Sequence, residues 1–209
     1  MALGIIVCGI GGRMGGAVVR AIQQAPDLEL VAAVDKPGSA RIGKDAGAVA
    51  GAGELGIPIT SNLPAALKRN SVIIDFTLPE ASLGFLKCAA ESRTPIVIAT
   101  TGFNVNQQAE IKRRARRTPT VLSANTSLGV NVLMALVADA AKRLGNDYDI
   151  EIIEAHHRFK KDAPSGTALA LAQSKPAEWD KIVEAAKKEG KVVAAIPPSP
   201  ELRKTMELA

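Results

Sequence analysis

Short apolar runs of strand length alternate along this chain with stretches whose apolar residues recur at helical spacing. Leu3–Cys8, Leu28–Val34, Ser71–Phe76, Pro95–Ala99 and Thr120–Ser123 are the runs of strand length. Helical segments are expected after Gly15 to about Gln24, over Ala81–Ser92, over Asn106–Ile111 with its basic continuation, and over Val130–Leu144, where Gly145 stops the pattern. Strands alternating with helices predict a parallel sheet with right-handed crossovers. Asp149–Ala155 (DIEIIEA) alternates acidic and apolar residues, as a half-buried strand does, and Ser165-Gly-Thr167 opens a helix to about Ala172. Beyond that point the character changes to a charged helix, Asp180–Glu189, a short apolar run, Val192–Ile196, and the proline cluster Pro197–Pro200.

Composition sharpens this picture. Of 209 residues, 47% are hydrophobic but only 3% aromatic, so the core is built from Val, Ile, Leu and Ala, the residues of strands buried on both faces. The net charge of +5 is concentrated in Lys112–Arg117, which reads as a solvated helix end whose cations suit the helix dipole. With no aromatic stacking partners beside that stretch, no nucleic-acid site is expected, and an anionic substrate accounts equally well for a positive balance. Cys8 and Cys88 have neither metal-ligand nor disulfide spacing, and Cys8, inside the first apolar run, is expected to be a buried free thiol. No segment has membrane-spanning length and no signal peptide is expected, so the expected location is the cytoplasm, away from membranes.

The first strand runs directly into Gly9-Ile-Gly-Gly-Arg-Met-Gly15. Glycines at 9, 12 and 15, between a strand and a helix, allow a tight turn, close approach of backbone to a pyrophosphate, and close helix–sheet packing. Asp35 ends the next strand 20 residues after Gly15, where a carboxylate binds ribose hydroxyls. A purely structural turn is the alternative. Asp35 favours NADH, whereas Lys36 and Arg13 offer positive charge to the extra phosphate of NADPH, so both cofactors are admitted.

Both histidines of the chain fall in Glu154-Ala-His-His-Arg-Phe-Lys-Lys-Asp-Ala-Pro-Ser-Gly-Thr167. Histidine donates protons near neutral pH, and a lysine does so when its pKa is lowered. Cysteines and suitably placed carboxylates are lacking, so no metal site is expected here. Ser165, Gly166 and Thr167 at a helix start, with Lys160 nearby, form a candidate carboxylate cradle; an ordinary capped helix is the other reading.

These segments together resemble the dihydrodipicolinate reductase (4-hydroxy-tetrahydrodipicolinate reductase) family. The matching pieces are Gly9–Gly15, Asp75-Phe-Thr77 with Pro79-Glu80, Thr100-Thr-Gly-Phe103, Asn125–Asn131 and Glu151–Thr167, in the family's order over about residues 3–172. The resemblance implies a Rossmann-type α/β domain, a parallel sheet with helices on both faces, over 1–128. A truncated α+β substrate domain would follow over 129–172, then a tail over 173–209. It implies that Gly9, Gly12, Arg13, Met14 and Asp35 face the adenine half of NADPH or NADH, and that Phe76 and Thr77 line its path. Thr100, Thr101 and Gly102 would lie near the nicotinamide, although Ala99 replaces the family's usual first glycine there. Ala124, Asn125 and Leu128 would lie along the same cleft. His156 would be the proton donor with Lys160 as a second candidate, and His157, Lys160, Ser165, Gly166 and Thr167 would hold the carboxylates of a small anionic dicarboxylate.

The implied reaction is reduction of a cyclic dicarboxylate imine in diaminopimelate and lysine biosynthesis, by what is in the family a homotetramer. From about Lys175 the chain departs from the family pattern and resembles the opening of a periplasmic solute-binding protein over Glu178–Val193 and Pro200–Arg203. Two other functions remain open: a nucleotide-binding module without turnover, and a different amino-acid-pathway dehydrogenase.

Overall fold

The structure, a computed structural model, describes residues 2–145, 148, 150–156 and 164–173. Six strands, β1 (Leu3–Cys8), β2 (Leu28–Val34), β3 (Ile59–Thr60), β4 (Ser71–Asp75), β5 (Ile96–Ile98) and β6 (Thr120–Leu122), form one sheet in the order β3-β2-β1-β4-β5-β6. Every pairing is parallel. The strand order reverses between β1 and β4, and in a doubly wound sheet the crevice beyond the carboxyl ends of those two strands is where ligands bind.

Alternation along β1 sends side chains to two separate cores. Ile5 and Val7 pack with Val19 and Ile22 of α1 (Arg13–Ile22) and with Ala46 and Ala50 of α2 (Ala46–Ala50). Ile6 and Cys8 pack on the opposite face with Leu63 and Ala66 of α3 (Leu63–Ala66), Leu86 and Ala89 of α4 (Pro79–Ser92), and Ile111 of α5 (Val105–Ala115). Both faces are therefore covered by helices, the reason that the strands read as unbroken apolar runs. Cys8 is fully buried, and burial pushes its thiol pKa well up, with Asp75 and Cys88 adding to the effect. The basic stretch forms the end of α5, where Arg113 and Arg114 pair with Glu110 of the same helix. The helix begins with a capping box between Asn104 and Gln107.

The chain divides into two units, Met1–Thr126 and Ser127–Ala209. The second unit contains α6 (Leu128–Leu144), capped by Ser127 and ended by Gly145 at φ 71°, the extended segment 150–156, and α7 (Gly166–Gln173). The strand expected over Asp149–Ala155 is not formed at the described residues 150–155. A strand needs a hydrogen-bonded neighbour, and the described part of this unit contains none. Glu154 instead turns its carboxylate to the start of α7. The elements that escape the sequence pattern are β3, α2 and α3, all too short to show a period. His157, Lys160 and the tail from 174 onward, with its expected helix Asp180–Glu189 and apolar run Val192–Ile196, lie outside the described residues. No helix among the described residues is long and apolar enough to cross a membrane.

Two outcomes are expected from this packing. Ile73 is fully buried in β4, so Ile73→Ala is expected to lower unfolding free energy by about 2–5 kcal/mol in chemical denaturation. Asp45 accepts the N–H groups of Ala48, Leu55 and Ile57, capping α2 and pinning the loop after it. The Ala48 amide, followed by those of Leu55 and Ile57, holds the Asp45 pKa below its ordinary value. This contribution is complete above the ordinary carboxylate range and is lost as pH falls through the depressed value. Asp45→Asn is expected to flatten the acid limb of a melting-temperature profile; an acid limb that matches the parent's would refute the assignment.

Candidate functional site

The first unit opens a cleft of about 700 Å³ at the carboxyl ends of its strands. Gly9 and Gly12 after β1, Asp35, Lys36 and Pro37 after β2, Ser61 after β3 and Phe76–Leu78 after β4 line it, with α4 forming a side through Ala81, Gly84 and Phe85. The glycine turn has the tightness expected of it. Gly9 has φ 82°, a conformation that L side chains avoid, and a methyl group at Gly15 would lie 2.2 Å from the Gly9 carbonyl oxygen. Gly12 is the N-cap of α1 and has no side chain to cap it, so the first amides of α1 are left to an outside acceptor. Arg13 and Met14 occupy the exposed first turn of α1.

Asp35 is held in place rather than swinging freely. One carboxylate oxygen accepts the Lys36 N–H at 2.9 Å, and the other accepts the Ser39 hydroxyl at 2.7 Å with the Arg41 guanidinium 3.9 Å away. Both Asp35 and Arg41 crowd the face of Gly11, where an added methyl carbon would lie 2.6 Å and 2.8 Å from them. A loop with a held carboxylate and a cation beside it thus borders the cleft. Ser39 and Arg41 were not singled out by the sequence, because no fixed spacing marks residues in a Pro-Gly loop.

Behind the cleft, Asp75 is fully buried at the end of β4. It accepts the Thr77 N–H at 3.0 Å and the Thr77 hydroxyl at 2.6 Å, while the Thr100 hydroxyl receives bonds from Thr77 N–H at 3.1 Å and Ser82 Oγ at 2.8 Å. Burial raises the Asp75 pKa, opposed by Ser82, Thr77 and Thr100 around it. This network ties β4, α4 and the segment after β5 together. Thr100 is itself buried in the network and does not line the cleft. Ala124 and Asn125 are half-buried after β6, where the Ser123 hydroxyl donates to the Asn125 carbonyl at 2.6 Å.

Leu128 belongs to the second unit, where it opens α6 and is largely exposed. In that unit Ser165 is buried, with its Oγ accepting the Ala168 N–H at 3.0 Å as a helix cap does. Gly166 and Thr167 form the first turn of α7. Glu154 accepts the Ser165 N–H at 2.7 Å and also the Ser165 hydroxyl, and His156 Nε2 lies 3.0 Å from the same carboxylate. Sequence reasoning passed over Glu154, although its place two residues before His156 was visible. The described residues therefore hold a glycine-lined cleft in one unit and a histidine–carboxylate pair at a helix start in the other.

Two family models match, dihydrodipicolinate reductase, N-terminus, over residues 3–126, and dihydrodipicolinate reductase, C-terminus, over residues 129–197. The second match extends past Ala172, where the recognisable motifs end. The chain is 48% identical to a 4-hydroxy-tetrahydrodipicolinate reductase of Thiobacillus denitrificans over 83% of this chain and 65% of that protein. It is 50% identical to one of Alkalilimnicola ehrlichii with the same coverages. It thus spans 65% of the length of these curated relatives. Among solved structures, the dipicolinate-bound dihydrodipicolinate reductase from Paenisporosarcina sp. TG-14 superposes with a TM-score of 0.63 at 27% identity, covering 83% of this chain and 65% of that one. An amine dehydrogenase from Mycobacterium smegmatis, 19% identical with a TM-score of 0.51 over 66% of this chain and 43% of that one, shares the fold alone. By sequence and by architecture, the chain belongs to the dihydrodipicolinate reductase family.

Proposed function

We propose that this protein uses NADPH or NADH to reduce a small cyclic imine bearing two carboxylates, the 4-hydroxy-tetrahydrodipicolinate reductase reaction of diaminopimelate and lysine biosynthesis. The observation that carries the proposal is the Gly9–Gly15 turn, with Gly15 close against the Gly9 carbonyl and Asp35 beside it at the head of a cleft. A pyrophosphate fits that turn because α1 presents uncapped amides and the positive end of its dipole. Asp35 would hold the adenosine ribose, while Lys36, Arg13 and Arg41 supply positive charge for the 2′-phosphate of NADPH.

The nicotinamide, when bound, supplies the hydride. The chain's own residues orient and neutralise. Phe76 and Thr77 shape one wall of the cleft, and the Asp75–Ser82–Thr100 network fixes the segment Thr101–Gly102. In the second unit, the start of α7 at Gly166 and Thr167, with His157 and Lys160, would hold carboxylates, and His156 would deliver the proton, with Lys160 as the second candidate donor. Positioning and charge stabilisation supply most of the rate.

The test follows NADPH and NADH absorbance with freshly generated dihydrodipicolinate. Gly15→Ala is expected to weaken nucleotide binding, because its methyl group meets the Gly9 carbonyl oxygen. His156→Ala is expected to bind nucleotide normally and to lose about 10²-fold or more in turnover. Nucleotide binding without substrate-dependent oxidation in the parent chain would reduce the protein to a binding module. Unchanged kinetics in both His156→Ala and Lys160→Ala would remove the proton-donor assignment.

A further inference from the structure

Glu154 lies two residues before His156 on the extended segment 150–156, and its carboxylate is gripped from two directions. Oε1 accepts the Ser165 backbone N–H at 2.7 Å. Oε2 accepts the Ser165 hydroxyl and meets His156 Nε2 at 3.0 Å. Ser165 is only 3% exposed and is committed to the first turn of α7 through the Ala168 amide, so it is a fixed anchor. The Glu154 side chain is 15% exposed against 40% for His156, so the carboxylate is the sheltered member of the pair and the imidazole the accessible one.

Burial by itself would raise the Glu154 pKa, but the bonds from Ser165 and the contact with His156 together outweigh it, and the net direction is downward. Glu154 is accordingly ionised at neutral pH, as the positive end of α7 also favours. An ionised carboxylate has no proton to give. The contact with His156 therefore calls for an Nε2–H donated to Glu154, which leaves Nδ1 without a proton in the neutral ring. In the charged ring, Nδ1–H is the proton not committed to Glu154.

We infer that Glu154 is a positioning residue that ties His156 to the start of α7 through Nε2, making Nδ1 the nitrogen through which His156 gives up and regains its proton. The inference rests on the proposed role of His156 as proton donor. The step balances. The Nδ1–H bond of the imidazolium breaks and its electron pair stays on Nδ1, while the proton joins the substrate that accepts hydride from the nicotinamide. Hydride and proton together saturate one double bond, and the ring is left neutral with Nε2–H still on Glu154. The arrangement also links proton donor and carboxylate cradle mechanically, since Ser165, which Glu154 holds, directly precedes Gly166 and Thr167.

The test uses the full chain labelled with ¹⁵N at histidine, observed by long-range proton–nitrogen correlation under conditions in which the rings are neutral. The chain has two histidines, so His156→Asn identifies the relevant signals. The parent is expected to show His156 as the Nε2–H tautomer. Glu154→Gln keeps an acceptor for the Ser165 amide but presents an NH₂ group able to donate to Nε2, so it is expected to shift His156 toward the Nδ1–H tautomer while nucleotide affinity is unchanged. In turnover, the same variant is expected to lose roughly tenfold in kcat with KM within about twofold, the pattern of a misdirected donor rather than a lost binding contact. A Glu154 that merely capped α7 would leave the tautomer alone. A mixture of tautomers in the parent, or the same spectrum in parent and Glu154→Gln, overturns the inference. An Nε2–H ring in a chain that binds nucleotide but oxidises none upholds the geometry at Glu154 and sinks the proposed reaction instead.

Discussion

At Gly15, helix α1 passes so close to the end of β1 that the space for a β-carbon is taken by the Gly9 carbonyl, 2.2 Å from where that carbon would be. Much of the first unit follows from this contact. It sets α1 against the sheet, with Val19 and Ile22 in the core beneath it, and it aims the uncapped amides of the helix at the crevice where strand order reverses. A side chain there would open a gap between helix and strand in an interior that has no room for one. The same contact that closes the core thus brings the uncapped first turn of α1 to the cleft that Gly9 and Gly12 line.

The remaining walls of the cleft are held by polar groups that face inward. Asp75 has no exposure to water and no ion pair among the described residues; it is sustained by the amide and hydroxyl of Thr77, with Thr100 and Ser82 completing the ring. Burying a carboxylate is costly, and hydrogen bonds offset the cost only when nearly every lone pair is used. The result is a rigid junction between β4, α4 and the segment leaving β5, at the end of the sheet where the cleft opens. Asp35 shows the same principle at the rim: Lys36, Ser39 and Arg41 surround it, so the carboxylate waits in one orientation.

In the second unit a single carboxylate joins two pieces of chemistry. Glu154 satisfies the start of α7 and engages His156, which makes the histidine's orientation a property of the helix start rather than of the loop that carries it. The alternating residues around it form no strand among the described residues. The polar member of the alternation makes a long-range bond to Ser165, and no neighbouring strand lies among the described residues of this unit.

How much of this was legible in the sequence depends on how local the cause is. The runs Leu3–Cys8 and Leu28–Val34 appear as strands with those same bounds, because burial on both faces writes itself as continuous apolar residues. The tight glycine turn and the place of Asp35 just after β2 were equally readable, since each falls at fixed spacing from a strand end. The cap at Ser165 and the stop at Gly145 were local as well. By contrast, β3 is two residues long and acquires its identity only by pairing with Ala33 and Val34 of β2. Nor does any pattern along the chain place Arg41 against Gly11, Thr100 inside a buried network, or Glu154 on Ser165, eleven positions away. Sequence by itself determined the order of β1, β2, β4, β5 and β6 and of α1, α4, α5, α6 and α7, the glycine turn and the segment that carries the histidines, because periodicity and spacing are local properties. Tertiary structure alone decided which polar side chains meet, because hydrogen bonds between distant residues depend on where the folded backbone brings them.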